Sequence, residues 1–360
     1  MSANGLAGHY EAWRYCDDPP VIAWDERKVL GSADFENRSG DPTAARVLLV
    51  GHSRDPDLAQ IAARLSDVGA AVEVLLVDRL GRQPNMTFPI EAIHSQPYDV
   101  GYCRGYRPEQ VVHFHFDRTL RRDSDWGAVD PNLAGHAARQ AEGLLWSWLA
   151  TAPVSRWINS PWRLRDAECK LVQLARAQQS ELRVPLTLVT SDVRALRRFA
   201  ETCSAGVIHK SIDSPVVSMH DGQGQFLYTS VVDPDEIDCL PYPCLFQERL
   251  VPRVEHRVTV VGRRVFTASL RREPGQPTDW RRLADDHHRF EHHQLSDALV
   301  SAIRELMSAL DIQIGAVDLI ETSEQSYFLE INPSAALTWL ERALGMQLCQ
   351  SVTNLILCGA

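Results

Sequence analysis

Two short segments near the carboxyl end, Ile314-Gly315-Ala316-Val317-Asp318-Leu319-Ile320 and Tyr327-Phe328-Leu329-Glu330-Ile331-Asn332-Pro333, each set a carboxylate inside an apolar run. Each reads as a strand, and the polar stretch Glu321–Ser326 between them reads as a turn, which predicts an antiparallel hairpin. With the turn centred on Glu324, Asp318 and Glu330 are equidistant from it and face each other. Period-two alternation puts Glu330 and Asn332 on one face. Two carboxylates and one amide then converge. That is a ligand set for a hard divalent cation, Mg²⁺ or Mn²⁺, with water and phosphate oxygens filling the other octahedral positions. The competing interpretation is an ordinary hairpin with solvated polar residues. It carries less weight, because an unpaired carboxylate inside an apolar run is costly.

The rest of the chain supplies an α/β frame for this hairpin. Residues 1–45 carry turn signals and little periodicity, and are expected to form an extension whose Trp13, Tyr15 and Trp24 dock on the body. Order begins at Arg46-Val47-Leu48-Leu49-Val50, a buried strand ended by Gly51. Asp55 opens a helical pattern (Leu58, Ile61, Ala62, Leu65), and a second apolar run follows from Val72 to Val77. Strand, helix, strand predicts a parallel pair with a helix across one face. A strand at Val111–Phe116 and a helix from about Pro131 to Trp148 complete the first domain. After Pro161 come a helix over 165–179, a strand Leu186–Thr190, a helix over 192–202 and a strand Gly206–Ser211. Three β segments (Cys244–Leu250, Val258–Val261, Val265–Leu270) then precede a strongly amphipathic helix over 294–310.

Composition excludes several classes of function. The balance of 37 basic and 47 acidic residues, a formal charge of −10, argues against nucleic acid as partner. No apolar run approaches the roughly 18 residues of a membrane span. Met1–Gly5 shows no charged-then-apolar signal pattern, and the expected location is the cytoplasm. Eight scattered cysteines without a Cys-x-x-Cys fit reduced thiols rather than a disulfide framework.

Two lysines add to the hairpin. Lys210 shares a strand face with Ile208 and Ile212, so it needs an anionic partner or must snorkel outward. Lys170, on the 165–179 helix, is by itself an ordinary surface lysine. Three other features read as structural. Asp285–His293 is a solvated loop more readily than a metal tract, His113 and His115 are structural histidines of one strand, and Cys239 and Cys244 are independent thiols.

From about residue 46 onward the chain resembles ATP-grasp ligases, and within them the graspetide (microviridin-type) peptide macrocyclases. The resemblance is carried, in order, by Trp157-Ile158-Asn159-Ser160-Pro161, Lys170–Ala175 with Val184–Thr187, Val207–Lys210, Tyr228-Thr229, Pro243–Glu248, Arg257–Gly262, Asp279-Trp280-Arg281 and the Asp318/Glu330/Asn332 hairpin. It implies an ATP-grasp fold of mixed α/β and α+β subdomains: an extension over 1–45, a pre-ATP-grasp α/β domain over 46–160, a central subdomain over 161–250 and a metal-bearing subdomain over 251–360.

The resemblance also implies roles. Lys170 and Lys210 look like the lysines that hold the α- and β-phosphates of ATP, and Gln247, Glu248, Arg249 and Leu250 like the hinge that meets adenine. Glu255 matches a ribose-contacting acid, the Gly222/Gly224 loop a mobile cover over the phosphates, and Arg257 and Arg281 the arginines that meet the γ-phosphate and the acyl phosphate. Asp318, Glu330 and Asn332 would hold two Mg²⁺ ions, or Mn²⁺ in their place. The implied substrate is a precursor peptide with an acidic core and a leader, and the implied assembly a homodimer. Where the macrocyclases often carry Asn-Pro-Asn-Gly, this chain has Asn332-Pro333-Ser334-Ala335, which leaves the acceptor open. A small-molecule carboxylate–amine ligase of the same fold, or a nucleotide-binding module without turnover, are the alternatives.

Overall fold

The computed structural model describes residues 22–25, 28–30, 44–79, 97–104, 131–213, 216–218, 224–226, 228–282 and 289–359. The predicted strand Val111–Phe116, Trp13 and Tyr15 of the extension, Gly222 of the glycine loop and His287–His288 lie outside the described residues. Three larger sheets account for the architecture. Among the described residues no helix is long and apolar enough to cross a membrane.

The first sheet is parallel, in the order β2-β1-β3-β4, with β1 (Arg46–Gly51), β2 (Ala71–Leu76), β3 (Tyr98–Cys103) and β4 (Val154–Ile158). Helix α1 (Pro56–Asp67) starts where expected: Asp55 caps it, accepting the N–H groups of Asp57 and Leu58, and Pro56 occupies the first turn. Helix α2 (Pro131–Thr151) leads into β4. Part of the extension docks as predicted. Trp24 donates its indole N–H to the Ser53 carbonyl at 2.8 Å, and Val29, 1% exposed, bridges to Val74 beside β2.

Next come α3 (Pro161–Glu168) and α4 (Lys170–Gln179). The sequence predicts one helix over 165–179; the chain instead breaks at Cys169, whose backbone is extended (φ −73°, ψ 106°). The Gln173 side chain donates to the Ala167 carbonyl at 2.6 Å, satisfying a group the break would leave bare. Lys170 is therefore the first residue of a helix.

The central sheet has the order β5-β10-β6-β9: β5 (Thr187–Thr190), β6 (Val207–Lys210), β9 (Ser230–Val232) and β10 (Cys244–Glu248), all antiparallel. Helix α5 (Val193–Ala200) packs beside it, and β7 (Val216–Ser218) pairs with β8 (Gly224–Phe226). The third sheet, β13-β12-β11-β14-β15, is antiparallel: β11 (Val254–Val261), β12 (Arg264–Arg271), β13 (Glu291–His293), β14 (Ile314–Glu321) and β15 (Ser326–Asn332). The end of the predicted Asp285–His293 loop is thus an edge strand. Helix α6 (Asp297–Ala309) buries Ile303, Leu306 and Met307 on this sheet, sharing a core with Leu174 and Ala177 of α4. A second core joins β1, β2 and α1 to α7 (Thr338–Leu344) and α8 (Leu348–Cys358), so the first and third sheets are welded through α1 and α8.

Candidate active site

The hairpin forms, and Asp318 pairs with Glu330 as expected. The route to that pairing differs from the prediction. At the turn Glu321 opposes Ser326 and Leu319 opposes Phe328, a register that by itself would set Asp318 opposite Leu329. A β-bulge between Asp318 and Leu319 makes Leu329 the extra residue and restores Glu330 to its place. Leu329, Glu330 and Asn332 consequently all line one cavity of about 510 Å³ between the central and third sheets.

Around the two carboxylates the cations gather. Arg257 faces Asp318 across the β11–β14 ladder, and its Nη1 donates to both carboxylate oxygens at 2.9 and 2.8 Å. Asn332 Nδ2 donates to Asp318 Oδ2 at 3.3 Å. Lys170 Nζ lies 3.8 Å from Glu330 Oε2. Burial alone would raise the Glu330 carboxyl, but Lys210, Lys170, Arg281 and Arg257 together pull it down to about 2. Asp318 moves the other way: burial and the charge of Glu330 raise it against the pull of Arg257 and Arg281. Two facing carboxylates of which one resists ionisation suit a site completed by cationic charge.

Arg281 and Asp279 form a second unit. Arg281 Nε and Nη2 donate to the two Asp279 oxygens at 2.8 and 2.7 Å, and Asp279 also accepts the Thr229 N–H at 3.2 Å. Asp279 is 5% exposed and held ionised by Arg281 against burial, so it orients the arginine toward the cavity it lines. Glu255 lies deeper, 3.0 Å from Arg272, and burial outweighs that attraction to push its carboxyl up to about 7.

The predicted hinge residues Gln247, Glu248 and Leu250 line the cavity with Ile208 and Pro185; Arg249 is exposed and stands outside the lining. Gln247 Nε2 donates to Thr187 Oγ1 at 3.0 Å, and Glu248 accepts the Leu186 N–H at 2.9 Å. Gln247 Oε1 and Arg257 Nε are buried without a hydrogen-bond partner among the described residues. Polar atoms left bare in a cavity call for a polar ligand. The hard-oxygen set of Asp318, Glu330 and Asn332 fits a divalent cation, and the surrounding lysines and arginines fit a polyphosphate.

Two buried amides escaped the sequence reading as functional residues. Gln173, 3% exposed, exchanges hydrogen bonds with Ile331 and so locks α4, with Lys170, onto the strand that carries Glu330 and Asn332. Asn159, 1% exposed and at φ 51°, accepts the N–H groups of Gln313 and Ile314 and donates to the carbonyls of Ile314 and Pro333, pinning both ends of the hairpin. Asn159 was visible only within the Trp-Ile-Asn-Ser-Pro segment. Polar residues in a helical pattern, such as Gln173, give no such signal.

Comparison with known proteins follows the same lines. None of the curated proteins compared matches this chain. Among solved structures, macrocyclase MdnC bound with precursor peptide MdnA from Microcystis aeruginosa MRC is 20% identical, covers 88% of this chain and 100% of its own, and superimposes with a TM-score of 0.71. A Chryseobacterium gregarium RiPP-associated ATP-grasp ligase in complex with ADP and a leader and core peptide gives 20%, 88%, 97% and 0.72. Macrocyclase MdnB from Microcystis aeruginosa MRC gives 24%, 88%, 100% and 0.66. These likenesses establish the shared fold. The profile of the RimK-like ATP-grasp domain matches residues 172–356, half of the chain, from α4 through both sheets of the cavity to α8. The chain belongs to the RimK-like ATP-grasp family.

Proposed function

We propose that this protein is an ATP-dependent ligase that activates a side-chain carboxylate as an acyl phosphate and joins it to an amine or hydroxyl of the same precursor peptide, closing a ring. The observation that carries the reading is the Asp318–Glu330–Asn332 set at one cavity lined also by Arg257, Arg281 and Lys210, with Lys170, outside the lining, 3.8 Å from Glu330. The solved structures it is similar to include a macrocyclase bound with its precursor peptide and a ligase with ADP, leader and core peptide.

In this reading adenine enters the cavity's apolar end, against Ile208, Leu250 and Leu329, and meets the unsatisfied Gln247 amide oxygen and the hinge backbone. Lys170 and Lys210 hold the α- and β-phosphates. Asp318, Glu330 and Asn332 would hold Mg²⁺, two ions as the resemblance implies, which would supply positive charge against the negative charge of the transferring phosphoryl group. Arg257 and Arg281, planar and permanently charged, orient the γ-phosphoryl group toward the incoming carboxylate. The carboxylate oxygen bonds to the γ-phosphorus as the bond to the bridging oxygen breaks, leaving ADP and a mixed anhydride. The nucleophile then bonds to the carbonyl carbon, the carbon–oxygen bond to phosphate breaks, and the nucleophile's proton passes to solvent.

The test is ATP with Mg²⁺ and any acidic peptide encoded beside this chain. ADP release that depends on the peptide, with a product lighter by one water per crosslink, is expected. ADP release driven instead by free amino acids would make the protein a small-molecule ligase, and nucleotide binding without turnover on any acceptor would make it a binding module.

A further inference from the structure

A buried charged cluster outside the cavity has no part in that mechanism. It lies at the C-terminal edge of the first sheet, between β1 and β3. From β1 the chain proceeds to β2 on one side and from β3 to β4 on the other, so this is a topological switch point, where open parallel sheets form a ligand crevice. Here the chain itself fills the crevice. Gly51 ends β1, and a Cβ there would stand 2.9 Å from the Arg104 carbonyl oxygen, so only glycine admits the backbone that follows β3.

Arg104 is 3% exposed; its Nε donates to Asp55 Oδ2 at 2.7 Å and its Nη2 pairs with Asp57. Asp57, 2% exposed, accepts the N–H groups of Leu337 and Thr338, both at 2.8 Å. These amides begin α7, whose N-cap residue, Leu337, offers no side-chain hydrogen bond. The first N–H groups of a helix need acceptors, and a carboxylate is favoured there by the helix dipole as well. Asp57 is thus a cap supplied in trans, across 280 positions of sequence, with its charge balanced by Arg104.

What it caps is the active-site wall. Ser334 and Ala336, just after Asn332, line the cavity, and Trp339 of α7 lines it beside Trp280. Ala335 and Leu337, between them, are 1% and 0% exposed, so the segment cannot shift without disturbing the core. Ser334, Ala336 and Trp339 line the same cavity as Asp318, Glu330 and Asn332 and belong to a different segment from the hinge residues Gln247, Glu248 and Leu250.

We propose that Asp57, braced by Arg104, is a positioning residue for ligation: from the first domain it fixes the Ser334–Trp339 wall against which the acceptor is held. The proposal rests on the ligase reading of the cavity. Its test is hydrogen exchange of the full chain, Asp57→Ala against wild type. Exchange at the Leu337 and Thr338 amides is expected to rise about tenfold or more, as for loss of roughly 1.4 kcal/mol of protection, while β14 and β15 keep theirs. Mg²⁺–ADP affinity should stay within about twofold and the peptide KM should rise. Asp57→Asn, which retains one acceptor oxygen, should recover part of the protection; it also serves where Asp57→Ala fails to fold. Unchanged exchange at Leu337 and Thr338 in a folded variant overturns the proposal, as does raised exchange with peptide kinetics unaltered. Exchange needs no turnover, so a protein that never processes any peptide but exchanges as expected refutes the ligase reading and leaves the trans cap standing.

Discussion

Gln173 and Ile331 bond to each other like two strands of a sheet: the Ile331 N–H donates to Gln173 Oε1 at 3.0 Å and its carbonyl accepts from Gln173 Nε2 at 2.8 Å. The outer edge of β15 is thereby closed between Glu330 and Asn332. Gln173→Ala leaves both Ile331 groups and the Ala167 carbonyl buried without partners, each costing about 1–3 kcal/mol. A loss of roughly 3 kcal/mol or more in urea unfolding is expected, together with weaker Mg²⁺–ADP binding, since the strand that carries Glu330 and Asn332 loses its register. A variant as stable as wild type would show that the grip is incidental.

Arg257 makes both of its contacts to Asp318 from one nitrogen, leaving Nε buried and unmet. A lysine keeps the charge but not the planar fork that could serve carboxylate and phosphate together. Arg257→Lys is expected to lower peptide-dependent ADP release by about 10²–10³-fold, the usual effect of removing one group aimed at developing charge, with ADP affinity little changed. Steady-state kinetics beside calorimetric ADP titration separate the two effects.

The amphipathic and apolar patterns made most of the described elements legible, because burial imposes its period on the residues that carry it: β1, α1, β2, α6, β14 and β15 fall where the pattern puts them. The site was half legible. Asp318 and Glu330 stood out as carboxylates in apolar runs, yet they meet only because Leu329 bulges, and no local pattern announces a bulge. Nor did helical periodicity reveal the break at Cys169, whose residue type forbids no helix. Gln173, Asp57 and Arg104 were hidden for a common reason. Their partners lie 158, 280 and 47 positions away, and a buried polar residue satisfied at long range resembles a surface residue in sequence.

Burial holds Glu255 protonated up to about pH 7, against an ordinary value of 4.5. Within that window the folded protein keeps a proton that the unfolded chain has released, so stability falls as pH rises through it. Glu330, drawn down to about 2, acts in the opposite sense below the window: its contribution is present above 4.5 and lost on acidification. Glu255→Gln removes the titrating group. The variant is expected to gain on wild type by on the order of 2–3 kcal/mol between pH 5 and pH 8, measured by denaturant midpoints in matched buffers. A constant difference across that range would refute the assignment.

Nucleotide and metal should stabilise the fold together. A ligand at a hundredfold excess over its Kd adds about 2.7 kcal/mol, which for a chain of this size raises Tm by several degrees. Mg²⁺ with ADP is expected to give this shift, EDTA to remove most of it, and Lys210→Ala to abolish it, because Lys210 is the foremost cation acting on Glu330 and lines the same cavity. Thermal unfolding under the three conditions decides the point.

The bulge at Leu329 makes the last expectation specific. Without the extra residue the register running from the turn would set position 329 opposite Asp318, and the strand would present a single side chain to the cavity there. With it, Leu329 and Glu330 both line the cavity, one apolar and one acidic, side by side. In the proposed reading the carboxylate would serve the metal and the leucine would supply hydrocarbon against the base of the nucleotide. Leu329→Ala removes that surface and leaves Glu330 in register. It is expected to weaken ADP binding by about 1–2 kcal/mol, roughly five- to thirtyfold, with kcat at saturating ATP nearly unchanged. Deleting Leu329 should leave Glu330 opposite Asp318, because the shortened strand brings it to the same rung, and should weaken nucleotide binding at least as much. Calorimetric titration of ADP with Mg²⁺ into both variants reads the effect. Unaltered affinity in Leu329→Ala would place the base elsewhere, and would leave the bulge as a device for aiming Glu330 alone.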